Sequence, residues 1–188
     1  MNQSAVVSRP RGVTRSRVTS ALVAALLAAS AFVTIPIGTV PLTLQVFVVV
    51  LAALLLEPFA AAAAVGMYLI LGAIGLPVFS GMKGGFGVLM GPTGGYLVGF
   101  LVGAVVASII RTRLASRGVP LADALAAAAC ILVIYLIGWF QLHVVTGLGW
   151  GAAFVAGVAP FVLIDIAKAV VAMGVARALR RAGAIEAA

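Results

Sequence analysis

Apolar residues run along this chain in long blocks separated by short polar breaks, a pattern of whole buried helices rather than of half-buried helices or alternating strands. A helix of about 20 apolar residues crosses the roughly 30 Å of hydrocarbon in a bilayer. On that scale the blocks predict six spans, at 18–37, 44–56, 59–76, 94–110, 121–143 and 151–179. The second is short and is expected to begin inside the preceding Gly-Thr-Val-Pro-Leu-Thr-Leu-Gln stretch, 38–45. Glu57-Pro58 predicts a sharp turn into the third. The first block follows a basic leader like that of a secretory signal, but it continues to Ile37 and so predicts a retained helix.

Composition strengthens this picture. With 64% hydrophobic and 9% charged residues and a mean hydropathy of +1.29, a chain of 188 residues has more apolar surface than a soluble domain can bury. The expected class is an all-α integral membrane protein. A net charge of +8 would suit a nucleic-acid partner, but the basic residues are placed otherwise. Arg9, Arg11, Arg15 and Arg17 precede the first block, Arg111, Arg113 and Arg117 share one break, and Arg177, Arg180 and Arg181 close the last block. Six crossings put all three groups on the cytoplasmic side, as the positive-inside rule requires, whereas five or seven would separate the termini. Of the twelve basic residues only Lys83 then faces outward, and Lys168 lies within a span. The expected organisation is a basic cytoplasmic tail at 1–17, a single six-helix membrane domain at 18–181 and a short tail at 182–188. The bilayer is the expected partner, nucleic acid is not, and a multi-pass membrane protein is the expected setting.

Two features carry the candidate chemistry. Asp165 and Lys168 interrupt the last apolar block with opposite charges at i and i+3, on one helix face. A charge near the bilayer centre costs roughly 2.5–3.5 kcal/mol on insertion scales, so an acid and a base at that depth imply a partner, a cavity or a polar ligand. The alternative is a self-satisfying ion pair that holds the helix in the bundle. The second feature is the pair of outer connections, 38–45 and 75–96, dense in Gly and Pro. Irregular backbone at membrane depth is tolerated where protein buries it or where it lines a cavity, so both are expected to wall or cover an outward-facing pocket. Trp139, Trp150 and His143 gather at the outer ends of the last two spans as interfacial anchors. His143 has no second metal-type ligand nearby in sequence, so no metal site is expected. Cys130, the single cysteine, reads as a small packing residue.

The chain holds no Gly-x-x-x-x-Gly-Lys-[Ser/Thr], and its acids, Glu57, Asp123, Asp165 and Glu186, are scattered. Neither ATP hydrolysis nor other catalysis is expected.

Pro41-Leu-Thr-Leu-Gln45, Gly75-Leu-Pro-Val-Phe79, Lys83-Gly-Gly, Gly91-Pro-Thr-Gly-Gly-Tyr96 and Asp165-x-x-Lys168, in this order, resemble the BioY family, the biotin-binding S components of energy-coupling factor (ECF) transporters. The resemblance spans essentially 18–179. It implies a protein that captures biotin from outside and delivers it inward through a transmembrane coupling protein with two ABC ATPases, which alone use ATP. Reorientation of the whole bundle in the membrane is the mechanism it implies. Asp165 and Lys168 are then expected to hold the ureido ring and Lys83 the carboxylate, although the residues themselves leave open which lysine meets which end. Phe79, Tyr96 and Phe47 are expected as lining. Gln45, Thr43 and Ser80 are further candidates, each with the alternative of capping a helix or satisfying a loop. Ala21, Ala25 and Ala29 form a small-residue stripe on the first helix expected to dock the coupling protein, with internal packing as the alternative. Two other functions remain open: a solitary facilitator or proton-linked carrier, and an S component for another vitamin such as thiamine or riboflavin.

Overall fold

The computed structural model describes residues 11–119 and 121–183. In chain order it contains α1 (Arg11–Ser30), β1 (Thr34–Ile35), β2 (Leu42–Thr43), α2 (Gln45–Leu55), α3 (Pro58–Ala73), α4 (Phe86–Met90), α5 (Gly94–Ser116), α6 (Ala122–Thr146), α7 (Trp150–Gly157) and α8 (Val162–Arg181). The fold is helical apart from one two-stranded antiparallel hairpin that pairs Thr34 with Thr43 and Ile35 with Leu42. By length and composition α5 and α6 can each cross a membrane, and α7 with α8 makes a third crossing if that bent pair is one span. The helices at the other expected spans are apolar but shorter.

Four boundaries differ from the sequence expectation. The first helix ends at Ser30 rather than Ile37, because the chain turns into β1 instead. Ile35 precedes Pro36, whose ring disfavours helical backbone at the residue before it. At its other end α1 begins at Arg11, so the limit expected between residues 17 and 18 falls inside one helix. The remainder of that tail, 1–10, and the end of the C-terminal tail, 184–188, lie outside the described residues. The Gly-rich connection carries the short helix α4, which the apolar pattern did not predict. Finally, the last block is two helices bent by 45° across residues 158–161. Pro160 explains the break, since it has no N–H to donate and its ring clashes with the carbonyl four residues before it.

Helix α2 is the centre of the bundle. Ten of its eleven residues are buried, and it packs on α1, α3, α5, α6 and α8. At about 1.5 Å per residue it is only roughly 16 Å long, about half the thickness of the hydrocarbon layer. Its carbonyl-rich end is closed by side chains: Ser108 of α5 donates to Leu56 O and Arg180 of α8 donates to Leu54 O at 3.0 Å. Those bonds satisfy acceptors that a helix end otherwise leaves orphaned.

The α5–α6 contact is the most extensive in the fold, and glycine explains it. Gly95, Gly99 and Gly103 fall on one stripe of α5, where an added Cβ would lie 2.6 Å from Ile137 O, 2.9 Å from Ile134 Cα and 3.0 Å from Cys130 O respectively. Without Cβ atoms the two backbones approach closely, which is how helices gain packing where lipid supplies no hydrophobic drive. Cys130 is a buried free thiol within this seam, as the packing role anticipated.

Candidate ligand-binding site

The break before α8 places Asp165 in the first turn of a helix rather than in the middle of one. A helix N-terminus carries partial positive charge, so a carboxylate there is favoured. Asp165 is 3% exposed. Lys168 Nζ donates to one of its oxygens at 2.7 Å, and the hydroxyl of Tyr135, on α6, donates to the other at 2.6 Å. Lys168 also donates to Thr43 O of β2 at 2.6 Å, fastening the hairpin to α8. A carboxylate offers about four lone-pair sites. Two are used here, so Asp165 keeps acceptor capacity.

That capacity meets a void. A cavity of about 120 Å³ lies between the hairpin, the Gly-rich connection, the near ends of α2, α5 and α8 and the middle of α6, and Asp165 and Lys168 both line it. The structure also brings Thr43, Gln45, Phe79, Ser80, Lys83 and Tyr96 to its wall. Phe47 is absent from the described residues that line it and packs against the apolar core instead. Gln45 and Val46 take the cavity-facing positions of α2, and one further residue turns the side chain about 100° around the helix.

Each wall residue is held by a recognisable device. Tyr96, at the start of α5, donates to Gly157 O at 2.8 Å. Within the break Phe161 N bonds to Val158 O, leaving the Gly157 carbonyl for the tyrosine. Its ring lies where a Cβ on Gly138 would stand, so α6 must carry glycine there. Phe79 is buried, packs edge-to-face on Tyr68 at 5.5 Å between centroids, and occupies space that any side chain at Gly72 would need. Tyr68 in turn accepts a hydrogen bond from Gln45 Nε2, which turns that buried amide toward α3. Phe79 also anchors a turn: its N–H donates to Lys83 O at 2.9 Å and the return bond is 3.3 Å. Met82 takes φ +57° in this turn, an uncommon backbone for a residue with a side chain. The turn leaves Lys83 exposed at the cavity margin. Ser80 Oγ and Thr34 Oγ1 share a hydrogen bond of 3.1 Å, joining this turn to the hairpin.

Tyr135 is the functional candidate the sequence reading missed. Its only sequence signal was a hydroxyl in the middle of an apolar span, where a polar tip requires a partner. Farther along α6 His143 stacks on Trp150 at 3.8 Å, and Trp139 Nε1 donates to Trp150 O at 3.0 Å. This aromatic cluster joins α6 to α7 and does not line the cavity. Ala21, Ala25 and Ala29 are all exposed, while Ser20, Ala24, Leu27 and Ser30 are buried positions of the same helix.

Comparison with known proteins agrees with this architecture. The BioY family model matches residues 1–184. A protein of Pyrococcus horikoshii described as a probable biotin transporter BioY is 41% identical over 160 residues, 85% of this chain and 93% of that one. The biotin transporter BioY of Thermotoga maritima is 40% identical over 167 residues, 89% and 96% of the two chains. The crystal structure of an S-component for biotin from an ECF-type ABC transporter has the same fold, with a TM-score of 0.85 over 92% of this chain and 94% of that one at 24% identity. With a family model spanning nearly its whole length and relatives this similar, the chain belongs to the BioY family.

Proposed function

We propose that this protein captures biotin from the outer side of a prokaryotic cytoplasmic membrane, as the substrate-specific subunit of an ECF-type transporter. The observation that carries the reading is Asp165: a buried carboxylate pinned by Lys168 and Tyr135 on a cavity wall, with acceptor sites left over. The biotin ureido ring has two N–H donors and one carbonyl. Asp165 accepts from the donors, and Lys168 gives a proton donor for the carbonyl oxygen. Phe79, Tyr96 and Phe100 offer apolar surface to the thiophane ring and chain. Lys83 at the margin meets the valerate carboxylate, with Thr43, Gln45 and Ser80 as polar neighbours.

Six crossings, by α1, α2, α3, α5, α6 and the α7–α8 pair, put both termini and the Arg111, Arg113 and Arg117 segment in the cytoplasm. The exposed Ala21, Ala25 and Ala29 stripe docks the coupling protein, because small residues on a free face admit a second helix. ATP is used by the ATPases of that module, not by this chain. Isothermal titration of the detergent-solubilised protein with biotin tests the reading: saturable one-to-one binding is expected, and the absence of binding, or equal binding of thiamine or riboflavin, overturns it.

A further inference from the structure

The second polar centre of the molecule lies at the opposite end of the bundle. Asp123, in the first turn of α6, accepts a hydrogen bond from Arg180 of α8. Arg177 Nε of α8 stands 3.7 Å from the same carboxylate, and Arg111 Nε of α5 stands 3.8 Å from it. Arg177 and Arg180 share that one carboxylate, so these three groups keep one positive charge over. Twelve residues of α8 separate Lys168 from Arg180, about 18 Å along the axis, which sets this cluster at the far edge of the apolar belt.

Its surroundings are those of a membrane surface. Leu163 and Val170 of α8 are exposed apolar side chains fourteen and seven residues before Arg177, so all three lie along one face of that helix. The cluster is graded in depth: the Arg111 side chain is 5% exposed, Asp123 15%, Arg180 17% and Arg177 55%. Arg177 therefore presents an open side to an otherwise buried positive centre. A guanidinium pairs with a phosphate through parallel N–H donors. Basic recesses between membrane helices on the cytoplasmic side suit anionic headgroups.

We propose that Arg177 and Arg180, gathered with Arg111 around Asp123, bind the phosphate of an anionic lipid headgroup. The apolar surface leading to the cluster takes the acyl chains, which a free anion lacks. Asp123 holds the guanidinium groups together without cancelling their charge. The site is separate from the cavity, and the proposal does not depend on what the cavity binds.

The test uses the full chain in phosphatidylcholine mixed micelles titrated with phosphatidylglycerol, following lipid retention by native mass spectrometry and the melting temperature in parallel. Wild-type protein and Arg113→Gln, an exposed arginine outside the cluster, are expected to retain phosphatidylglycerol and gain melting temperature alike. Arg177→Gln is expected to lose about fivefold in affinity for it, the equivalent of one basic contact at a membrane surface. Arg177→Lys, which keeps the charge and loses the fork, should fall between and serves if the glutamine variant fails to fold. Equal retention by wild type and Arg177→Gln overturns the proposal. So does the same loss in Arg113→Gln, or a stabilisation that inorganic phosphate reproduces at matched concentration.

Discussion

The two polar centres of this bundle are built from the same chemistry and end in opposite situations. At one end one carboxylate meets one ammonium and one hydroxyl beside a void. At the other end one carboxylate stands near three guanidinium groups that tie α5, α6 and α8 together, and one of them, Arg180, also caps α2. The first is balanced in charge and has acceptor sites to spare, which suits recognition of a neutral polar ring. The second gathers more positive charge than its one carboxylate can balance, which suits closing the bundle and holding anions. A buried ion pair is thus no indication of function by itself. The space beside it and the ratio of partners decide.

The contrast is broken most forcefully at Asp123. Asp123→Asn leaves neighbouring guanidinium groups without their counter-charge, and thermal or denaturant unfolding is expected to show a loss on the order of 3 kcal/mol. Biotin affinity of the fraction that folds should stay unchanged, since the cavity lies at the other end; a parallel fall in affinity would merge the two centres. Asp165→Asn is expected to do the reverse, lowering biotin affinity by about 1.5–3 kcal/mol in titration, because a charged acceptor becomes a neutral amide. Wild-type affinity in that variant would remove Asp165 from the site. Tyr135→Phe sharpens the comparison further. It deletes one donor to the carboxylate and should weaken biotin binding by about 1 kcal/mol, with the fold retained as read by melting temperature. The smallest effect on binding belongs to Ala25→Leu on the free face of α1. Affinity should match wild type while uptake by cells carrying the energising module falls, because the added bulk obstructs helix approach. Uptake unaffected by this change would remove the stripe from docking.

Much of the site was legible because it rests on residue types that are expensive in lipid. Asp165, Lys168 and Lys83 stand out in an apolar chain whatever its fold, and the Gly-Pro density of the outer connections marks backbone that must be buried or line a cavity. Tyr135 and Phe47 show where that reasoning stops. Aromatic residues are unremarkable in a membrane span, so only packing reveals that one points a hydroxyl at Asp165 and the other joins the core. The Arg177 and Arg180 group was read as a cytoplasmic mark, which is a statement about sidedness. Its convergence on Asp123, some sixty residues earlier, is set by three helices meeting.

From composition and order alone followed the membrane setting, the helical class and the acid–base pair. These depend on transfer free energies that each residue carries with it wherever it is placed. The bend at Pro160, the end of α1 at Ser30, the glycine seam between α5 and α6 and the void itself were decided by the assembled bundle. They depend on which surfaces meet, and a linear chain does not contain its own contacts until close packing chooses them.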